Sequence, residues 1–516
     1  MAKTVPITRF DGGMAEDYRN VGLGEFAYSS HFDILSFPKR LQPLRGMTID
    51  VASSGIGNFL VASNGFTYGL GWKASNNAHS ALWQRCSAAI GVGGYASGDL
   101  FKEMANGSNG NTVQYTTLLE WSESGDSRTL CFGNAAAIIR VDPTDVATAI
   151  VNTLTFSTMG QALVHPTDKV MYIPYQATAG GAPLIGTLAP GVAGGAVTTA
   201  ALTLAIGYRA YCLSHYGNYL AIPCTGKNNS YASVVYLWDR VATTWNETIV
   251  WGAGDLRVLN NLDGVLVGVS HRSSGVSGTT QDSDGVEIKM YSGGVPVLIK
   301  EINQNTLGVG NVSMTVNSNV NFIKNGRLYF SIDIIPNDGS TTRKGLWSVG
   351  KSKTGRWVVT CERVENNTSL SILAASMQGD FVSVVSNAVG TVYSTTFGTT
   401  GPSTYGATSI YESGVNPNMD ELDRAKNKKL ISWYVNVMPI VGGTLTVKYK
   451  VDDTTQGGNW VACGTYSTTA GTTLEIRKPT TGQFKDGKYF EFQISATGGV
   501  AINDWGYEYM PLKIKK

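Results

Sequence analysis

The 516-residue sequence has little charge. Asp, Glu, Lys and Arg make up 15% of it, against roughly 25% in an average soluble domain. The 40 Lys and Arg nearly cancel the 38 Asp and Glu, leaving a net charge of +2. That excludes a strong field able to draw in nucleic acid or an anionic membrane. No apolar run reaches the roughly 18 residues of a membrane-crossing helix. The nearest, residues 178–207, is broken by glycine and proline, so no membrane segment is expected. The start, MAKTVPITRF, lacks the apolar stretch of a secretory signal. None of the six cysteines (Cys86, Cys131, Cys212, Cys224, Cys361 and Cys463) forms a C-x-x-C pair. Buried free thiols in a reducing compartment are expected, with a Cys212–Cys224 disulfide as the lesser alternative.

Helical periodicity is almost absent, and so are the common catalytic signatures. There is no H-E-x-x-H, no H-x-x-x-H, no G-x-S-x-G elbow and no Walker loop. The glycine-rich GVGGYASG and GLGEF lack the strand and helix that would frame a phosphate loop. His165, His215 and His271 recur near the turns of successive units. Turn and strand-end histidines are the expected role, and a convergent metal site is the alternative. Asp282, Asp284 and Glu287 read as a solvated loop instead of a calcium loop. No cofactor is expected.

What the sequence has is glycine, 61 residues of it, and short alternating apolar runs between Gly, Asn, Asp and Ser. Stacked, the runs show a weak repeat of strand, tight polar turn and strand. The clearest copies are CLSHYGNYLAIPC, VLNNLDGVLVGVSH, NFIKNGRLYFSID and ILAASMQGDFVSVVS. Turn anchors at Gly57, Gly125, Asp168, Gly217, Gly264, Gly326 and Gly379 recur on average about 54 residues apart. A second hairpin often lies between anchors, as around Trp238 and Trp245 or Trp347 and Trp357. These tryptophans are expected to pack between units. Four antiparallel strands per unit is the pattern of a β-propeller blade.

The sequence therefore predicts an all-β protein. Residues 1–45 form an extended N-terminal arm, 46–415 a β-propeller of about seven blades, 416–429 a linker, and 430–516 a C-terminal β-sandwich or jelly roll. In the last domain Trp433, Trp460 and Trp505 alternate with polar residues. Core packing is their expected role, and an exposed platform for sugar rings is the alternative.

The ends carry a resemblance. ITRFDGGMAEDYRN and the stretch after it, with Phe10, Gly12, Gly13, Asp33, Pro38, Leu41 and Pro43, resemble the opening of tailed-bacteriophage structural proteins. The run from KKLISWYVNV to FQISATGG looks like their closing sandwich. The whole is similar to β-propeller tail nozzle or tail-hub proteins. The resemblance implies a non-enzymatic virion component, assembled in the host cytoplasm into a homo-oligomeric ring, a hexamer in the family. Such a ring joins other tail and connector proteins and encloses DNA without binding it specifically. A receptor- or glycan-binding module of the tail facing the host surface is the alternative, and a propeller glycosidase a second. The arm, with Phe10, Tyr18, Pro38 and Leu41 as anchors and Gly12–Gly13 as hinge, is expected to be mobile in the isolated protein and to order on a neighbouring subunit.

Overall fold

The computed structural model describes residues 2–44, the strands within 47–150, and 156–512 apart from connecting segments such as 191–196, 273–283, 396–407 and 453–459. The chain is all-β and follows itself through a series of antiparallel sheets. The first sheet is Ile56–Ser63, Phe66–Trp72, Ser80–Arg85 and Phe101–Asn106. The second is Thr117–Trp121, Thr129–Gly133, Ile138–Val141 and Ala147–Ile150. In the third, Thr158–Met159 and Leu163–Val164 pair with Met171–Gln176, followed by Leu184–Leu188 and Thr198–Thr203. In the fourth, Tyr208–Ala210 and Ser214–Tyr216 pair with Tyr219–Gly226, followed by Ser233–Trp238 and Glu247–Gly252. The fifth comprises Asp255–Leu262, Val265–Arg272, Gly285–Tyr291 and Val297–Ile302. The sixth comprises Val312–Lys324, Arg327–Pro336, Arg343–Lys351 and Trp357–Val364. The seventh, Ile372–Gln378, Phe381–Ser386 and Thr391–Thr395, takes its fourth strand from Met47–Val51, ahead of the first sheet.

The leading strand of each sheet lies beside the leading strand of the next, except that the third meets the fourth through Met171–Gln176 and Tyr208–Ala210, and the leading strand of the seventh lies beside that of the first. Face-to-face packing of twisted sheets around a common centre is a propeller. It buries both faces of the inner strands, while outer strands such as Thr198–Thr203 and Glu247–Gly252 stay partly exposed. Met171–Gln176 and Ser233–Trp238 are buried at every position, whereas a one-faced sheet would alternate. The tight turns use the residues that tolerate positive φ. Asp263 and Gly264 sit at 52° and 83°, Asn325 and Gly326 at 51° and 68°. Both pairs fit two-residue hairpins of the type I′ kind. Among the anchors, Gly57 instead lies inside the strand Ile56–Ser63, while Gly125 and Gly379 fall outside the described residues.

Two further five-stranded sheets face each other. One runs Lys3–Ile7, Ile502–Pro511, Lys428–Val437, Leu474–Pro479, with Asp486–Gly487 on Lys428–Val437. The other runs Val461–Ser467, Thr444–Val451, Phe490–Ala496, Ser409–Glu412, Tyr28–Ser30. Phe492 of one packs on Trp505 and Tyr507 of the other, with ring centroids 5.2 and 5.0 Å apart.

Two expectations are corrected here. The N-terminal segment is not an extended arm. It supplies an edge strand to each of these sheets, Lys3–Ile7 beside Ile502–Pro511 and Tyr28–Ser30 beside Ser409–Glu412. The cause is its apolar content: Phe10, Tyr18, Phe26, Phe32 and Leu41 are all 0–1% exposed, more apolar surface than a solvated arm tolerates. The stretch 416–429 carries the short helix Glu421–Arg424, but it is more than a linker. Asn416 is buried and exchanges hydrogen bonds with Phe490, and Lys428 already begins a central strand.

Candidate functional site: the junction built by the N-terminal segment

The Phe-Asp-Gly-Gly stretch shows how the junction is made. Strand Gly13–Met14 pairs in parallel with Glu25–Phe26, and the Gly12 N–H donates to the Gly24 carbonyl at 3.0 Å. A Cβ on Gly12 would lie 2.6 Å from the Gly24 carbonyl carbon and the Glu25 nitrogen, so only glycine fits. Gly13, at φ +81°, lies against Val358 on the outer strand of the sixth sheet. Phe10 stands edge-on to Tyr411 at 5.5 Å, and Tyr411 contacts Trp505 at 6.0 Å. One aromatic chain thus runs from the N-terminal segment into the C-terminal sheets. The Phe10 N–H donates to the Pro38 carbonyl, and Leu41 exchanges backbone hydrogen bonds with Ile502.

Buried charges complete the junction. Arg327 of the sixth sheet donates to Asp33 at 2.5 Å, to Ser36 at 2.6 Å and to Glu362 at 2.7 Å. Burial works against its charge, but Glu362 and Asp33 outweigh it and hold the guanidinium more firmly protonated. Arg343 donates to Glu412 at 2.9 Å and lies over the Tyr28 ring at 3.4 Å. Tyr18 donates to Glu491, and Lys450 donates to the Tyr18 oxygen at 2.8 Å and pairs with Glu491 at 2.9 Å. Burial nevertheless pushes the Glu491 carboxyl up to about 7. Arg9 grips Asp11 with two bonds of 3.0 Å, and Thr354 of the sixth sheet adds a third. Burial opposes the Asp11 charge, yet these partners keep its carboxyl below the usual range. Asp423 binds Lys3, Lys426 and the Tyr509 hydroxyl, with the Lys3 bond the leading cause of its depressed carboxyl. Lys428, wholly buried, donates to four carbonyl oxygens at 2.6–3.3 Å, and burial draws it down to about 8.

The expected anchors Phe10, Gly12, Gly13, Tyr18, Pro38 and Leu41 are therefore brought together, but inside their own chain. Burial leaves Phe10, Tyr18 and Leu41 no surface for a neighbouring subunit. Trp433 and Trp505 are 1% exposed, which corrects the sugar-platform alternative for both. Trp460 is half-buried, with Lys450 4.8 Å from its ring centre.

The histidines divide. His165 and His215 meet, ring centres 6.1 Å apart, while His271 faces Asp284 at 3.7 Å. The His165 Nδ1 lies 3.2 Å from Arg240 and accepts from the Thr167 N–H, and Arg240 also grips Asp168. These contacts tie the third sheet to the fourth. Burial and Arg240 lower the His165 pKa. Trp238 bridges the same two sheets through Tyr172 at 6.0 Å, as expected of the repeat tryptophans. Cys212, Cys224, Cys361 and Cys463 are free thiols, and burial raises Cys212 and Cys463 to about 12. His79, Cys86 and Asp282 lie outside the described residues. No helix among the described residues is long and apolar enough to cross a membrane.

The charges of the junction were missed in the sequence, although a signal was there. In a chain with so few charges, GRLYFSID, VTCERV, TVKYKVD and KYFEFQIS set Arg327, Glu362, Lys450 and Glu491 among apolar strand residues, where an unpaired charge is too costly to keep.

No protein family model matches the chain, and no curated protein matches it in sequence. Solved structures similar to it include a Staphylococcus aureus virginiamycin B lyase, at 11% identity over 68% of this chain and 98% of that one, TM-score 0.41. A Myceliophteria thermophila Cps50 β-propeller domain aligns at 9% identity over 68% and 99%, TM-score 0.42. Trypanosoma rangeli sialidase aligns at 10% identity over 99% and 96%, TM-score 0.33.

Proposed function

We propose that the chain is a non-enzymatic structural component of a tailed-phage virion, a nozzle or hub subunit of the tail. In this reading the seven sheets are the blades of one closed propeller, shut by Met47–Val51, and the two facing sheets are a β-sandwich fixed rigidly to it. The observation that carries the reading is the junction. The stretch whose Phe10, Gly12 and Gly13 resemble phage structural proteins is the stretch that ties sandwich to propeller. A part that bears load through a ring needs such rigidity. The buried charges are spent on joining elements, which suits a scaffold better than a reaction centre. A net charge of +2 suits a wall that DNA must pass without being held. With the N-terminal segment committed within the subunit, ring contacts belong to other surfaces.

Cryo-electron microscopy of purified particles tests this. Density for the propeller and sandwich in a ring at the tail is expected. A particle-free monomer that cleaves polysaccharide would overturn it.

A further inference from the structure

We propose that His165 is a pH-sensitive latch on the seam between the third and fourth sheets, closed while its ring is neutral and released when the ring takes up a proton. The latch goes beyond the scaffold role and stands independently of it.

His165 sits in a tight turn of the third sheet. The His165 N–H donates to the Val170 carbonyl, and the Lys169 N–H to the His165 carbonyl, each at 3.0 Å. The ring is wholly buried and meets His215 of the fourth sheet edge-on, centres 6.1 Å apart. Arg240 follows the strand Ser233–Trp238 of the fourth sheet. Its Nε donates to the Asn218 carbonyl at 3.1 Å, while its guanidinium grips Asp168 and lies 3.2 Å from the His165 Nδ1. One side chain thus joins the turn of one sheet to a turn of the next.

Both partners of Nδ1 are donors. The Thr167 N–H lies 3.3 Å from it, and the guanidinium has nothing but N–H to offer. Nδ1 serves them only as a bare acceptor. A proton there sets N–H against N–H and adds a second positive charge 3.2 Å from the first. Asp168 is the acid that faces the ring, 4.0 Å away, but it already binds Arg240, the Tyr172 hydroxyl at 2.8 Å and the Val170 N–H at 3.0 Å. The Tyr219 backbone also favours the proton, and His215 opposes it. Burial and then Arg240 outweigh the favourable contacts and hold the ring's pKa below the usual 6.5. The stability that the latch adds is therefore complete above about 6.5 and is lost as pH falls through the folded value. Tyr172 carries the release into the seam, since its ring stands edge-on to Trp238 of the fourth sheet at 6.0 Å.

Hydrogen exchange of the full chain, with labelling times scaled for the intrinsic effect of pH, tests the proposal. Protection of residues 163–176 and 233–240 should fall at least about tenfold between about pH 7 and about pH 5, while Ile502–Pro511 keeps its protection. His165→Asn sets an amide oxygen where Nδ1 accepts and takes up no proton, so it should keep the seam protected over the whole range. Seam protection that does not change with pH in the unaltered protein would overturn the proposal. So would an equal acid loss in His165→Asn, which would assign the effect to His215. Arg240→Gln keeps a donor and removes the cation, and should move the titration of the His165 ring, followed by carbon NMR, to higher pH. An unmoved titration would overturn the proposal even if His165→Asn loosens the seam at every pH.

Discussion

The Arg327 guanidinium joins Asp33, near the start of the chain, to Glu362, on the outer strand of the sixth sheet. The three residues lie far apart in sequence, and together they fix the N-terminal segment to the propeller. Removing the cation strands two carboxylates in a buried place. Arg327→Ala should therefore cost about 3–5 kcal/mol of stability, read as a lower urea midpoint with an unchanged slope.

Phe10 is wholly buried against Tyr411. Phe10→Ala should destabilise the protein by about 3–5 kcal/mol, measured by urea unfolding. A surface anchor for another subunit would instead leave the monomer's stability unchanged.

Gly12→Ala places a methyl group against the backbone of residues 24 and 25, which cannot yield as a flexible side chain would. A loss of about 1–3 kcal/mol is expected. The same change at Gly207, where a Cβ meets nothing within 4 Å but φ is +93°, should cost only the smaller conformational term, about 1–2 kcal/mol. Thermal denaturation of the two variants side by side checks the order.

Glu491 gives the stability a pH dependence. Its carboxyl is raised from 4.5 to about 7 in the folded protein. The folded state therefore holds this proton more tightly than the unfolded chain between those values. Stability contributed by this group should fall as pH rises from about 4.5 to about 7 and then level off. Glu491→Gln should flatten that part of the profile in urea titrations at successive pH values.

The repeat, the all-β class and the strand-turn-strand units were legible because they depend on local pattern. Asp263–Gly264 and Asn325–Gly326 announce their hairpins in the sequence alone. The N-terminal segment was misread because its partners are remote. Lys3–Ile7 pairs with a strand some 500 residues away, and no local pattern reports such a pairing. Its irregular, turn-rich composition looked like an arm, yet Phe10, Tyr18 and Phe26 already signalled burial.

Hydrogen exchange of the isolated protein, followed by mass spectrometry over residues 3–30, tests most directly whether this segment locks the sixth sheet to the two facing five-stranded sheets. Protection comparable to that of the central strands Lys428–Val437 and Ile502–Pro511 is predicted. Exchange of residues 3–30 within seconds, with those strands still protected, would contradict it.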